Sequence, residues 1–279
     1  MQAGKPSRTA FRVAMRRATH QVLDNPRVLD DPIAVPLLGP DFSIDYEREA
    51  HPLARTFRAF MAARSRFAED RLARAVDEGA TQYVVLGAGL DTFAWRNPFA
   101  ALHVFEVDFP ATQLWKQELL TRMGLEEPGN LTFVPLDFEN KALAAGLAEA
   151  GFDCGAKTFF GWLGVVPYLT REAFQATIRV VASLPAGSGV AFDYAVSPEG
   201  LQPARRKHFD ALAARVAAAG EPFKLFFTQD ELDDELRTAG LARIEQADSR
   251  QINELYFNGR ADRLALPEPG LGVMAAAWV

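Results

Sequence analysis

The sequence predicts an α/β protein with one mostly parallel, seven-stranded sheet, helices on both faces and a helical N-terminal extension. Two observations lead to this prediction. Residues 1–78 have helical patterns and no convincing strand, whereas from Tyr83 onwards short apolar runs alternate with longer helical segments. Such alternation is typical of parallel strands joined by helices. We therefore divide the chain into an extension, residues 1–78, and a sheet domain, residues 79–279.

Three helices are predicted in the extension. The first runs from about Ser7, a residue type that often caps helices, to about residue 23. A second begins at Asp31-Pro32, since proline is well tolerated at the first helical position. The third is long, from about residue 52 to residue 78, and ends at Gly79. The arginines around its apolar stripe are expected to form mainly a solvated face.

The sheet domain contains the seven predicted strands and six predicted helices. The strands are expected near residues 83–87, 102–108, 132–137, 158–163, 189–195, 241–247 and 272–279. The helices are expected near residues 91–95, 110–123, 139–150, 171–184, 200–219 and 229–239. The last strand is short, apolar and terminal, which suits a buried strand added antiparallel at or near an edge.

The first strand of the sheet domain ends in a glycine turn, Gly87-Ala88-Gly89. Glycines there tolerate positive φ and let a ligand approach the main chain, although many strand–helix junctions use glycine for geometry alone. Thr92 stands where a dinucleotide fingerprint has its third glycine, and Asp91 precedes it. A carboxylate there repels pyrophosphate but suits the cationic amine of S-adenosylmethionine. The turn therefore favours that ligand over a dinucleotide.

Acidic residues end the next two strands. Glu106 and Asp108 follow the glycine turn by about 20 residues, the distance at which an acid binds a ribose diol. They share one strand face, so either could serve, and either could instead be a solvated charge. Asp137 ends the third strand and precedes Phe138. Polar groups at three strand ends predict a ligand crevice along that edge of the sheet. Seven strands with a reversed last strand, together with Asp91-Thr92 in place of the third glycine, indicate a Rossmann-like sheet of the class I methyltransferase type.

Composition limits the possible partners. The net charge of −6 argues weakly against nucleic acid, which prefers a basic surface. No apolar run is long enough for a membrane span and no secretory signal is evident, so we expect a cytoplasmic protein without membrane contact. The single cysteine, Cys154, and four scattered histidines make a metal site unexpected. The oligomeric state is left open.

Four segments of the chain carry a resemblance to a known family. Residues 86–96 are similar to the glycine motif of the leucine carboxyl methyltransferase family, which includes bacterial S-adenosylmethionine-dependent methyltransferases. Residues 104–110 and 134–138 resemble its second-strand and third-strand motifs, and residues 62–67 its upstream arginine helix. The resemblance spans roughly residues 8–195. It implies a class I methyltransferase core behind a helical extension, with S-adenosylmethionine as cofactor.

The resemblance also implies specific cofactor contacts. Arg64 would bind the methionyl carboxylate through two parallel N–H groups, although it could instead be an exposed helix charge. Asp108 suits the ribose hydroxyls and Asp137 the adenine amine, while Phe138 suits the adenine ring or packs in the core. The candidate cofactor-binding residues are thus Arg64, Gly87, Ala88, Gly89, Asp91, Glu106, Asp108, Asp137 and Phe138.

One position departs from the family pattern. Leu163 stands where many members carry an acid that would face the cofactor amine, which leaves the amine to Asp91 or to backbone carbonyls. Methylation of a protein C-terminal leucine is therefore not carried over. Tyr168 is the candidate residue of the acceptor pocket, with simple packing as the alternative. The basic segment 205–208 could attract an anionic acceptor or form a solvated helix face.

The predicted function is S-adenosylmethionine-dependent O-methylation of a small-molecule carboxylate or hydroxyl. A carboxylate needs no general base, whereas a hydroxyl does, and no local His–Asp pair is evident. A non-catalytic, cofactor-binding scaffold is the alternative, suggested by Leu163. A nicotinamide-dependent oxidoreductase is disfavoured by Asp91-Thr92. We expect the extension to fold over the cofactor edge and to complete the site through Arg64.

Overall fold

The computed structural model describes residues 8–137, 142–199, 201, 203–218, 222–270 and 272–279. The extension contains α1 (Arg8–Leu23), α2 (Ala34–Leu37), α3 (Tyr46–Ala50) and α4 (Pro52–Asp77). Ser7, the predicted cap of the first helix, lies outside the described residues. The second helix begins at Ala34 rather than at Asp31-Pro32, and α3 was not predicted. The long helix ends as expected at Gly79, whose φ of 98° reverses the chain.

The sheet has eight strands in the described part of the chain. They are β1 (Gln82–Leu86), β2 (His103–Asp108), β3 (Leu131–Pro135), β4 (Thr158–Trp162), β5 (Gly189–Val196), β6 (Phe226–Phe227), β7 (Arg243–Ala247) and β8 (Gly272–Trp278). Their order is β3-β2-β1-β4-β5-β8-β7, and β6 pairs with β5. Strand β8 runs antiparallel to β5 and β7, while the other described pairs are parallel.

The seven predicted strands are all present, and each overlaps its expected range. The additional strand, β6, is too short to leave a pattern in the sequence. The reversed last strand lies one position in from the edge formed by β7. The order also reverses direction at β1, because β2 and β3 continue on one side and β4 and β5 on the other. Open α/β sheets bind ligands at such a switch point, outside the carboxyl ends of the strands.

Helices cover both faces of the sheet. Those of the sheet domain are α5 (Phe93–Arg96), α6 (Pro110–Arg122), α7 (Leu143–Glu149), α8 (Arg171–Ala182), α9 (Pro203–Ala218), α10 (Gln229–Thr238) and α11 (Ser249–Tyr256). Six correspond to predicted helices, and α11 was not predicted. Among the helices of the described residues, none is long and apolar enough to cross a membrane.

Helix α4 of the extension packs directly on the sheet. Its residues Ala59, Ala63 and Phe67 are fully buried, and they share one hydrophobic core with Tyr83 of β1 and Phe159 of β4. Burial of this apolar stripe is the main force that holds the helix in place. The extension and the sheet are therefore joined by a common core, and residue 78 stays a division predicted from the sequence.

A buried polar network fixes α1 on α4. The Nε2 atom of His20 accepts a hydrogen bond from the backbone N–H of Val28 at 3.0 Å, so the ring proton is on Nδ1 and is donated to Asp24 at 2.7 Å. Arg58 of α4 donates to both oxygens of Asp24, at 2.8 and 3.0 Å. These bonds outweigh the burial of Asp24 and lower its pKa. Helix α1 is thus held in one orientation, beside the sheet edge.

Candidate functional site

A cavity of about 430 Å³ opens at the carboxyl ends of β1, β2 and β4. Helices α1 and α4 line its outer side. We call the part that follows β1, β2 and β3 the glycine-turn end; it is formed by Gly87, Ala88, Gly89, Asp108 and Asp137. The part on the β4 and β6 side is the Lys224 end; it is formed by Val165, Tyr168, Leu169, Pro222 and Lys224.

The glycine turn has no room for side chains. Gly87 has a φ of 66°, and a Cβ atom there would lie 2.5 Å from the Cγ2 atom of Val165. Gly89 has a φ of 52°, and a Cβ there would lie 3.1 Å from the Cβ of Ala10 in α1. The backbone N–H groups of Gly87 and Ala88 both donate to the carbonyl of Val107, which ties the turn to β2. Glycine is therefore required by conformation and by space.

Of the two acids predicted at the end of β2, only Asp108 lies in the cavity. Its carboxylate accepts hydrogen bonds from the backbone N–H groups of Gly89 at 2.5 Å and Phe109 at 2.6 Å. Burial raises the pKa of Asp108, although these two bonds oppose the shift. The Asp108 carboxylate thus stabilises the glycine turn and lines the cavity in which a ligand would lie.

Glu106 is not brought to the cavity. It is fully buried, and one oxygen accepts a hydrogen bond from the Nζ atom of Lys116 in α6 at 2.5 Å. Burial raises the pKa of Glu106 to about 7, against the opposing charge of Lys116. The two acids share a strand face, but α6 covers the first of them. The ribose prediction therefore stays with Asp108 alone.

The structure brings Asp137 to the same end of the cavity, where it is half-buried. It directly follows Leu136, which also lines the cavity. Phe138, the next predicted contact, lies outside the described residues.

Arg64 reaches the cavity from α4 and is buried, with 7% of its surface exposed. Its Nη1 atom lies 3.5 Å from an oxygen of Asp193, and the other oxygen of Asp193 accepts the backbone N–H of Gly164 at 2.6 Å. A Cβ atom on Gly164 would lie 2.7 Å from the same Nη1 atom. The alternative of an exposed helix charge is therefore excluded. Sequence reasoning missed Asp193, although it is the one acid in the otherwise apolar strand β5.

Asp91 lines the cavity but is already paired with the extension. Its carboxylate accepts hydrogen bonds from Arg17 of α1 at 2.8 Å and from the backbone N–H of Phe93 at 2.7 Å. Burial alone would raise its pKa, but the guanidinium groups of Arg17 and Arg96 outweigh burial and lower it to about 2. The carboxylate is therefore ionised at neutral pH. Its predicted contact with the cofactor amine stays a prediction, since Arg17 competes for the same group.

Arg17 is a member of the site that sequence reasoning missed. Besides Asp91, it donates to Asp31 at 2.6 Å and to the hydroxyl of Thr92 at 2.8 Å. Thr92 in turn donates to Asp31 at 2.7 Å. Thr92, which replaces the third glycine of a dinucleotide fingerprint, therefore helps to hold α1 against the glycine turn. Because α1 is held there, five of its residues line the cavity: Thr9, Ala10, Val13, Ala14 and Arg17.

The Lys224 end has a different character. Tyr168 lies in a 3₁₀ turn, Val166–Tyr168, and its ring centroid is 5.5 Å from that of Phe223. Lys224 is exposed at the rim. Among the described residues of this end there is no histidine or carboxylate. Leu163, which replaces the family acid, lines the cavity as an apolar side chain.

Comparison with known proteins agrees with this geometry. The model of the leucine carboxyl methyltransferase family matches residues 10–182. A Bacillus subtilis (strain 168) protein with the provisional name S-adenosyl-L-methionine-dependent methyltransferase YktD is 34% identical over 292 residues, which cover 95% of this chain and 96% of that protein.

Two solved structures have a similar fold. A protein of Thermobifida fusca YX, provisionally described as a methyltransferase, gives a TM-score of 0.58 at 17% identity, covering 99% of this chain and 96% of its own. A DUF574 family protein of Streptomyces avermitilis MA-4680 gives 0.59 at 18% identity, covering 88% and 94%. The predicted fold class and the predicted cofactor, S-adenosylmethionine, are confirmed. By its sequence over residues 10–182 and its similarity to YktD along nearly its whole length, the chain belongs to the leucine carboxyl methyltransferase family.

Proposed function

We propose that this S-adenosylmethionine-dependent methyltransferase methylates a carboxylate oxygen of a small molecule. The observation that carries the proposal is the composition of the Lys224 end. Its described lining offers a cation at the rim, Lys224, and no imidazole or carboxylate that could remove a proton. A carboxylate acceptor needs the first feature and does without the second, whereas a hydroxyl acceptor needs a general base.

The cavity residues fit the cofactor. The lining combines a bare glycine turn with carboxylates and buried guanidinium groups, and Val165 packs so closely on the turn that Gly87 has no room for a Cβ atom. Asp108 would hold the ribose, Asp137 the adenine amine and Arg64 the methionyl carboxylate. When bound, S-adenosylmethionine supplies a methyl group on a positively charged sulfur. The chain's own contribution is to fix the two reactants in line and to exclude water, which lowers the barrier by proximity.

The order of the strands gives the proposed direction of transfer. The nucleoside would lie over β2 and β3, next to Asp108 and Asp137, so the sulfur would point toward Val165 and Tyr168. The acceptor oxygen attacks the methyl carbon, the carbon–sulfur bond breaks, and the electron pair stays on sulfur. No proton moves in this step. The products are a methyl ester and S-adenosylhomocysteine, which is why a site without a base is sufficient.

The proposal can be tested with matched pairs of acceptors. Carboxylic acids and the corresponding alcohols or phenols are incubated with the protein and S-adenosylmethionine, and release of S-adenosylhomocysteine is measured between pH 5 and pH 9. We expect turnover with acids only, with a rate that is flat over this range because a typical carboxylate is ionised throughout. Turnover of hydroxyl compounds alone, rising with pH, would contradict the carboxylate proposal. Tight cofactor binding with no turnover of any acceptor would favour the scaffold alternative.

A further inference from the structure

Two almost fully buried side chains carry hydroxyl groups that line the cavity. Tyr83 of β1 has 4% of its surface exposed and Ser65 of α4 has 5%, and both side chains line the cavity. Neither hydroxyl forms a hydrogen bond with another described residue. Neither oxygen is enclosed by protein atoms, so both are open to the cavity and can take a hydrogen-bond partner from a ligand there.

The fold holds the Tyr83 hydroxyl in a fixed place. Its ring meets Phe93 edge-on at a centroid distance of 5.0 Å and lies parallel to Phe159 at 6.5 Å. The hydroxyl itself fits only because residue 161 is glycine: a Cβ there would lie 2.2 Å from the Tyr83 oxygen. A phenylalanine would keep the same ring contacts with Phe93 and Phe159. The hydroxyl is therefore not explained by packing.

Its neighbours indicate the chemistry of the missing partner. Arg64 precedes Ser65 on α4, and its guanidinium lies against Gly164, three residues beyond the glycine that faces the Tyr83 hydroxyl. Burial raises the pKa of Tyr83 well above its usual value, so the phenol keeps its proton and acts as a donor. A guanidinium and two neutral hydroxyl donors that line one cavity are a set suited to a carboxylate.

We propose that the hydroxyls of Tyr83 and Ser65 bind the methionyl carboxylate of S-adenosylmethionine together with Arg64. The inference depends on the cofactor and is independent of the acceptor. In this arrangement Arg64 supplies the charge, and the two hydroxyls fix the carboxylate's position and direction. The role is one of binding and positioning, and it involves no bond breaking or proton transfer.

The test uses three ligands that differ only at the amino-acid group. S-Adenosylhomocysteine has both amine and carboxylate, its decarboxylated analogue has the amine alone, and methylthioadenosine has neither, while the sulfur is a neutral thioether in all three. Their affinities are measured by titration calorimetry for the parent, Tyr83→Phe and Ser65→Ala. The control is Tyr194→Phe, because Tyr194 is an equally buried tyrosine that bonds Gln246 and does not line the cavity.

We expect Tyr83→Phe to weaken S-adenosylhomocysteine by about ten- to one-hundredfold, the range for a hydrogen bond to a charged group. Ser65→Ala should weaken it in the same direction. Both variants should leave the other two ligands within about twofold of the parent, and the control should leave all three unchanged. Unchanged S-adenosylhomocysteine affinity in Tyr83→Phe, or an equal loss for methylthioadenosine, would overturn the inference while parent binding still supports the proposed function.

A second measurement keeps the test independent of binding. Without ligand, Tyr83→Phe should melt at or above the temperature of the parent, because it breaks no hydrogen bond to another described residue. Tyr194→Phe should melt lower, because it breaks an existing bond. A lower melting temperature for ligand-free Tyr83→Phe would show that the hydroxyl already has a structural partner and would overturn the assignment.

Discussion

The glycine-turn end and the Lys224 end of the cavity lie on one sheet edge but are built from different kinds of residue. The first is built from backbone groups and an acid: Gly87 and Gly89 have positive φ, and the N–H of Gly89 donates to Asp108 at 2.5 Å. The second is assembled from a 3₁₀ turn and from Lys224, which precedes the short strand β6. The first end has a geometry that a common cofactor requires, while the second is free to vary with the acceptor.

The largest effect is expected where the extension is anchored beside the glycine-turn end. Arg17→Met would leave Asp31 and Asp91 buried beside an apolar side chain. Loss of one partner of a buried ion pair costs about 3–5 kcal/mol of unfolding free energy. The measurement is chemical denaturation of the variant and the parent at neutral pH, with exposed Arg74→Gln as control.

The same pair of proteins gives a pH prediction. The folded-state pKa of Asp91 is lowered from 3.8 to about 2, so its stabilising contribution is complete above pH 4 and is lost as pH falls toward 2. Arg17→Met lacks the part of this contribution that comes from Arg17, the strongest of the groups that lower this pKa. The stability difference between parent and variant should therefore shrink by up to about 2 kcal/mol across that interval. A difference that is constant with pH would show that Arg17 does not stabilise the Asp91 carboxylate.

Gly87→Ala tests the junction of the two ends, because a Cβ there would lie 2.5 Å from Val165. We expect S-adenosylhomocysteine affinity to fall by about a hundredfold or more, because Val165 or the turn must shift in the cavity wall. Gly124→Ala is the matched control, since its φ of 68° is nearly the same and no atom lies within 4 Å of the added carbon. Equal losses of affinity in both variants would mean that backbone strain at positive φ, rather than the contact with Val165, is responsible.

Asp108→Ala sharpens the assignment of the ribose contact. Each charge-assisted bond is worth about 1.5–3 kcal/mol, so affinity should fall by at least tenfold. Stability should fall too, because the N–H groups of Gly89 and Phe109 lose their acceptor. Glu106→Gln, outside the cavity, should leave affinity unchanged by calorimetry. The reverse pattern would move the ribose site to Glu106.

Arg64→Ala tests whether the extension contributes to the site. Loss of a buried guanidinium from the carboxylate should cost about 1.5–3 kcal/mol of binding free energy for S-adenosylhomocysteine. Arg74→Ala, further along α4, removes an exposed arginine that pairs with Glu78, and should cost no measurable binding free energy. If both variants bind like the parent, the extension has a structural role alone.

The smallest effect is expected at the other end. Lys224→Gln should raise the KM for a carboxylate acceptor by about threefold, because a rim charge contributes little. S-Adenosylhomocysteine affinity should stay the same, since Lys224 lies at the opposite end of the cavity. A loss of cofactor affinity without a change in acceptor KM would reverse the assignment of the two ends.

Most of the fold was predictable because its signals are local. Each apolar run of the sheet became a strand, whereas β6 has only two residues and gave no pattern. Helix α11 was missed although Asp248 and Gln251 form a capping box that the sequence displays. Helix α3, with five residues capped by Asp45, was too short to predict.

A site residue was predictable only where its role follows from its place at the end of a strand. Gly87 and Asp108 end adjacent strands, so sequence rules found them. Arg17 and Asp193 meet their partners 74 and 129 residues away along the chain, and no local pattern records such pairs. In the sequence, Tyr83 is recognisable only as part of an apolar strand. The position of its hydroxyl depends on Gly161 of the neighbouring strand, which no local pattern reveals.

The central claim is that the cofactor occupies the glycine-turn end and points its sulfur toward the Lys224 end. The most direct measurement is a crystal structure of the complex with S-adenosylhomocysteine. We expect the ribose hydroxyls on Asp108, the adenine beside Asp137, and the sulfur facing Val165 and Tyr168. An adenine at the Lys224 end, or a ribose without contact to Asp108, would contradict the account.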